Sequence, residues 1–363
     1  MNKKERIKAI LKGTSPDRTG FWLGNPKDET KIIYREALGI KSVSPQLTKN
    51  RLNSQERWID TIFLDIELHN VFQSDFYWVC PDLDPQLYQH PEGKLIFDKY
   101  GGKPKKSLSQ AGVFAGCDEV IEIEEFEWPD PDYLDFSNTI KAVERINELK
   151  MGIFSGMWSP FFHDVCDLFG MENYFIKMLA NPKVVEAVTE KVLAFYLEAN
   201  KKCLNLIADK IEAVFFGNDL GSQTNVLLNP ELFKRFIYPG IVRIVRVAKS
   251  YDLPVILHSC GAIYDFIPAF LEAGIDGLHP LQIRAQGMEA ERLADKFRDE
   301  LVFIGGLDTQ NLLPFGSPEQ VKREVFRLKS IFGERFIVSP SHETLLPNVS
   351  INNALAMRDA ALG

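Results

Sequence analysis

From residue 150 onward, short apolar runs rich in Val, Ile and Phe alternate with longer stretches whose apolar residues recur every three or four positions. Parallel strands joined by crossover helices produce that pattern. The runs are MGIFSGMW (151–158), IEAVFFGND (211–219), LPVILHSCG (253–261), GIDGLHPLQ (274–282), LVFIGGLD (301–308) and RFIVSPSH (335–342). Two upstream runs, TGFWLGN (19–25) and TIFLDIEL (61–68), bring the count to eight, which predicts an α/β (β/α)8 TIM barrel. We read residues 1–363 as one such domain. The opening MNKKERIKAILKG spaces its apolar residues helically among charges and predicts a short N-terminal helix. Asn229-Pro230-Glu231 and Ser317-Pro318-Glu319 each place a cap, a helix-compatible proline and an acid at a helix start. Residues 71–130, with aromatic pieces, a Pro91-Glu92-Gly93 turn and a KPKK run, are too long for a strand-to-helix connection. They predict a β-hairpin insertion after the second strand, over the barrel mouth.

Barrel chemistry belongs at the carboxyl ends of the strands, and polar residues collect there. They are Trp22 and Asn25, Asp65, Trp158 and His163, Asn218 and Asp219, His258 and Cys260, His279 and Gln282, Asp308, and His342 with Glu343. Any one of these could be a cap or turn former; their recurrence on every strand points to a site. The sharpest pair is His258 and Cys260, two apart and therefore on one side of a strand. Imidazole and thiolate are preferred zinc ligands. His342 is the candidate third ligand, with Glu343, Asp219 or His279 as other completions. The competing reading makes Cys260 a small buried filler and His258 a donor to a nearby carbonyl. Asp65 follows an apolar run, where a carboxylate needs either a ligand or an ion-pair partner. Asp219 sits in GNDLGSQTN beside Asn218 and Gln223, a loop able to approach a substrate or merely to turn.

Bulk properties narrow the function classes. The chain is 45% hydrophobic and 25% charged, enough for a full core. A net charge of -8 argues against nucleic acid as a partner. No apolar run reaches the length of a membrane span, and the first residues lack a signal-peptide core, so a cytoplasmic location is expected. Five scattered cysteines suit a reducing compartment and leave Cys260 available as a thiolate. No Walker-type loop, GxGxxG after a strand, GxSxG elbow or HExxH is present.

Nearly end to end, the chain resembles the uroporphyrinogen decarboxylase superfamily, which includes zinc-dependent methylcobamide:coenzyme M methyltransferases. The resemblance rests on ERIKAILKGTSPDRTGFW, FLDIEL, SGMWSPFF, GNDLGSQTNVLLNPELFKRFIYP, ILHSCGAIYDFIPAFLEAGIDGLHPLQ, FIGGLDTQNLL and SPSHETLLPNVS. It implies a (β/α)8 barrel and two possible chemistries. For the decarboxylases it implies that an aspartate at Asp65 holds pyrrole nitrogens, that a tyrosine falls near His163 and that a histidine matches His342. Their paired arginines after the first strand are missing from WLGNPKDETK. For the methyltransferase branch it implies that HSCG is the His-x-Cys metal pair. Pro340-Ser341-His342 then stands where the branch has Pro-Gly-Cys.

The resemblance therefore favours zinc-assisted methyl transfer between a corrinoid, carried on a partner protein, and a small thiol or methoxy compound. Zinc would sit on His258, Cys260 and His342. Asp65 and Asp219 would orient the substrate, with His163 as a further catalytic candidate. Trp22, Asn25, Trp158, Asn218, Gln223, His279, Gln282, Asp308 and Glu343 would bind it. The alternatives are a metal-free decarboxylase of a tetrapyrrole or other aromatic acid, with His163 or His342 supplying a proton, and a non-catalytic corrinoid- or tetrapyrrole-binding barrel.

Overall fold

The computed structural model describes residues 1–40, 58–107 and 109–363. Eight strands form a nearly closed parallel barrel: β1 (Gly20–Phe21), β2 (Phe76–Trp78), β3 (Gly152–Ser155), β4 (Ala213–Gly217), β5 (Val255–His258), β6 (Gly277–Leu281), β7 (Val302–Leu307) and β8 (Phe336–Pro340). They are ordered β1-β8-β7-β6-β5-β4-β3-β2. The remaining seam, between β1 and β2, is bridged by the Asp75 amide donating to the Phe21 carbonyl at 2.7 Å.

Every strand residue from β3 to β8 is buried, yet the two faces separate with a period of two. Phe154, Phe215, Ile256, Ile304 and Ile337 fill the interior together with Trp22 and Phe76. Their neighbours Ile153, Val214, Phe216, Val255, Leu257, Phe303 and Val338 pack outward under the helices. That register decides where chemistry can appear, because His258 follows Ile256 by two and therefore shares its inward side. The N-terminal helix Lys3–Lys12 carries a capping box between Asn2 and Glu5. Its Ile7, Ile10 and Leu11 join the interior cluster and plug the amino-terminal end.

Two expectations are overturned. TIFLDIEL lies inside the helix Trp58–Val71. Its exposed positions, Asp60, Phe63, Glu67 and Val71, recur every three or four residues, whereas a strand would expose every second one. The true second strand is the aromatic FYW that follows. The predicted hairpin is also absent among the described residues of 71–130. After β2 the chain runs through a 3-10 turn at Pro81–Leu83 and a short helix at Val120–Glu124. Pro91-Glu92-Gly93 does turn, with the Gly93 amide donating to the His90 carbonyl, but its flanks do not pair. Side-chain packing holds this segment instead: Phe114, Phe126 and Trp128 cluster, and Lys99 and Lys105 reach Asp164 and Asp167 on the helix Phe161–Phe169.

Candidate metal centre at the barrel mouth

Four strand ends bring five donors together. His258 closes β5, and its Nε2 lies 3.4 Å from Cys260 Sγ and 3.2 Å from Asp219 Oδ1, just beyond β4. The Cys260 amide donates to the same Asp219 oxygen at 2.9 Å. This proximity needs glycine: a Cβ on Gly261, whose φ is +87°, would lie 2.4 Å from the Ser222 carbonyl oxygen. The loops after β4 and β5 therefore touch backbone to backbone. On the other edge of the His258 ring, Nδ1 meets His279 Nδ1 at 2.9 Å and Glu343 Oε2 at 3.9 Å.

The donors fall into two overlapping groups of metal-ligating reach, Asp219–His258–Cys260 and His258–His279–Glu343. His258 belongs to both, through opposite ring nitrogens. Two atoms here, His279 Nε2 and Glu343 Oε2, are buried without a hydrogen-bond partner. A buried polar atom without a partner calls for an explanation, and a bound water or ion is one. Nitrogen, sulfur and carboxylate oxygen are also the donor types zinc takes.

Burial alone would disfavour a charged His258, but Glu343, Asp219 and Cys260 outweigh it and hold the imidazole well above its usual value. Burial and the positive His258 push His279 well below it. Both directions fit a hydrogen bond in which His258 Nδ1 donates to His279 Nδ1. Burial opposes ionisation of Asp219, yet the His258 contact keeps its carboxyl well below the ordinary range. Burial raises the Cys260 thiol, and His258 offsets only part of that.

Other predicted site residues act at one remove. His163 Nε2 accepts the Asp219 amide at 2.9 Å. Gln282 Oε1 accepts the Gly261 amide and the Gln223 side chain. Asn218 ties the Phe162 amide to the Ser159 carbonyl. The Asn25 amide donates to the Glu343 carbonyl at 2.6 Å, holding that loop. Trp158 packs against His258 at 5.0 Å between ring centroids. Trp22 lies deeper, fully buried and edge-on to His279, so it fills the barrel rather than lining the mouth. Asp308 caps its own turn through the Gln310 and Asn311 amides and faces Arg284.

Two predicted site residues stand apart from these donors. Asp65 is not at the mouth: on its helix it pairs with Lys31 at 2.6 Å and Arg35 at 3.5 Å. His342 joins neither donor group. Its side chain is 41% exposed, and its Nδ1 accepts the Thr344 amide. The carboxylate beside the true β2 is Asp82, which accepts the Trp158 amide at 2.7 Å. Burial raises its carboxyl to about 7. Trp78, 4.8 Å from Trp158 between centroids, also escaped the sequence reading. Both follow from placing the strand at FYW, since they then stand at a strand end.

Residues 117–362 match the uroporphyrinogen decarboxylase (URO-D) family model. No curated protein matches the chain. Among solved structures, the chain is similar to a methyltransferase from Methanosarcina mazei, with 14% identity and a TM-score of 0.71 over 99% of this chain and 98% of that one. A putative vitamin-B12 independent methionine synthase from Listeria monocytogenes gives 13% identity and a TM-score of 0.46, over 95% and 94%.

Proposed function

The chain belongs to the uroporphyrinogen decarboxylase family, and from that premise we propose that it is a zinc-dependent methyltransferase moving a methyl group between a corrinoid and a small thiol or methoxy compound. The observation that carries this reading is the cluster of nitrogen, sulfur and carboxylate donors around His258 Nε2. The likeness of fold to a methyltransferase along nearly its whole length is in keeping with it. The decarboxylase alternative loses the aspartate assigned to pyrrole binding, because Asp65 is held by two cations on an outer helix.

Zinc bound here would lower the pKa of a thiol or hydroxyl and present it as an anion near neutral pH. The chain's own residues do the rest. His163 and Gln282 hold the two loops that carry Asp219 and Cys260. Trp158 covers one side of His258 and excludes water there. A thiol acceptor would lose its proton to solvent on binding, and its thiolate pair would then form the new S–CH3 bond while the cobalt–carbon pair stayed on cobalt, so no residue need take a proton in the transfer itself. Purified protein is expected to contain about one zinc per chain and to move methyl from methylcobalamin to a thiol, read from the corrinoid absorbance. Chelation should abolish this and zinc restore it. Full turnover by the metal-free chain would overturn the proposal.

One observation favours decarboxylation as a second reading: Asp82 is an acid whose carboxyl titrates at about 7, suited to giving a proton to a developing carbanion. That reading expects metal-independent release of carbon dioxide from an aromatic acid.

A further inference from the structure

We propose that the third protein donor to the metal is Asp219, so that the ion sits on His258 Nε2, Cys260 Sγ and the Asp219 carboxylate, with His279 and Glu343 forming the layer behind it. This rests on the metal reading above and names the ligand set of that same centre.

Spacing selects this group over the other. Around a four-coordinate zinc, bond lengths of about 2.0–2.3 Å put neighbouring donors roughly 3.3–3.6 Å apart. His258 Nε2 stands 3.2 Å from Asp219 Oδ1 and 3.4 Å from Cys260 Sγ, so both edges fit with little movement. On the opposite side, 2.9 Å to His279 and 3.9 Å to Glu343 are less even, and no thiolate is included.

The second group has a different use. A metal-bound histidine normally gives its remaining N–H to a fixed acceptor, which sets its tautomer and ring angle. With the ion on Nε2, the His258 Nδ1 proton already points at His279 Nδ1, and Glu343 lends negative charge at 3.9 Å. His279 and Glu343 are therefore positioning residues.

Charge supports the choice as well. One thiolate and one carboxylate neutralise a divalent ion, leaving a fourth position for an anionic oxygen or sulfur. A histidine in place of Asp219 would leave the centre positive. His342 lies outside the Asp219–His258–Cys260 group: its Nδ1 accepts the Thr344 amide and stands 3.5 Å from Glu343 Oε2, and its side chain is 41% exposed. Asp219 is held in place before any ion arrives, because its carboxylate accepts the Cys260 amide and its own amide donates to His163.

The test loads full-length protein with Co(II) and follows the visible d–d bands and the near-ultraviolet thiolate charge-transfer band during titration. Asp219→Asn keeps an acceptor for the Cys260 amide, and a thermal melt checks its fold. Asp219→Asn and Asp219→Ala should each weaken Co(II) binding by about 100-fold or more, Glu343→Gln by about 10-fold, and His342→Ala by less than about threefold. Cys260→Ser should erase the charge-transfer band. Wild-type protein that binds metal, with folded Asp219 variants binding as tightly, overturns this assignment and leaves the methyltransferase reading standing. Wild-type protein that binds no metal overturns both.

Discussion

The two ends of the barrel treat buried charge in opposite ways. At the amino-terminal end, fully buried Asp75 meets Arg6 at 2.6 Å and Arg18 at 2.8 Å and accepts the Phe21 amide. Glu212 likewise accepts the Ile153 amide and faces Lys4 and Lys8. At the carboxyl-terminal end, Asp219, Cys260 and Glu343 converge on one imidazole, and among the described residues neither Asp219 nor Glu343 pairs with a lysine or arginine. Acids neutralised by lysine and arginine hold the barrel together, while acids gathered on histidine keep binding capacity in reserve. That asymmetry is the expected division between the stability face and the active face of this architecture.

The largest test of the comparison lies at the closed end. Asp75→Ala takes from Arg18 its carboxylate and leaves Arg6 with Asp17 alone, and breaking a buried pair from one side costs about 3–5 kcal/mol. Urea unfolding should show that loss, while metal per folded chain stays at the wild-type level. An Asp75 variant of normal stability, or one that lost metal while folded, would break the division.

The same division explains how much could be read from the sequence. Alternation in β3 to β8 is regular because each strand is buried on both faces, and it placed His258 and Cys260 correctly on one inward side. The caps at Asn229 and Ser317 form as their residue types require. The region around 61–78 misled because TIFLDIEL is rich in residues that favour strands, while its helical period shows only in four exposed positions. That one exchange of helix for strand moved Asp65 to the mouth and hid Asp82 and Trp78. The choice among Asp219, His279 and Glu343 was unreadable for another reason: Asp219 and Cys260 are 41 residues apart, and their loops are joined by tertiary contacts alone, the packing of Gly261 on the Gly221–Ser222 backbone and the Ala262 amide on the Ser222 carbonyl.

Asp65 gives an intermediate test, since it was expected at the open end and behaves like a charge of the closed one. Asp65→Asn exchanges a charge-assisted bond to Lys31 for a weaker neutral one and removes the ion pair with Arg35, a loss of about 1.5–3 kcal/mol. Metal content and turnover per folded chain should not change. A folded Asp65→Asn protein that had lost turnover would return Asp65 to the site.

The smallest expected effect has the opposite sign. Asp82 belongs to the open end, and burial raises its carboxyl from 3.8 to about 7. A carboxyl raised in the folded state binds its proton more tightly there than in the unfolded chain. Stability is then greatest below about pH 4, falls as pH rises between about 4 and 7, and stays at the lower level above that. Asp82→Asn removes the ionisation but keeps an oxygen to accept the Trp158 amide. It should therefore change little at pH 4 and stabilise the chain at pH 8. The full shift is worth up to about 4 kcal/mol, but the partly exposed carboxylate edge returns some of that cost to water, so a gain of about 1–2 kcal/mol is expected. Melting curves at the two pH values measure it. Removing a buried acid should thus weaken one end of the barrel and strengthen the other. Equal destabilisation at both pH values would show Asp82 to be a purely structural bond to Trp158, and would place the mouth beside β2 with the closed end of the barrel.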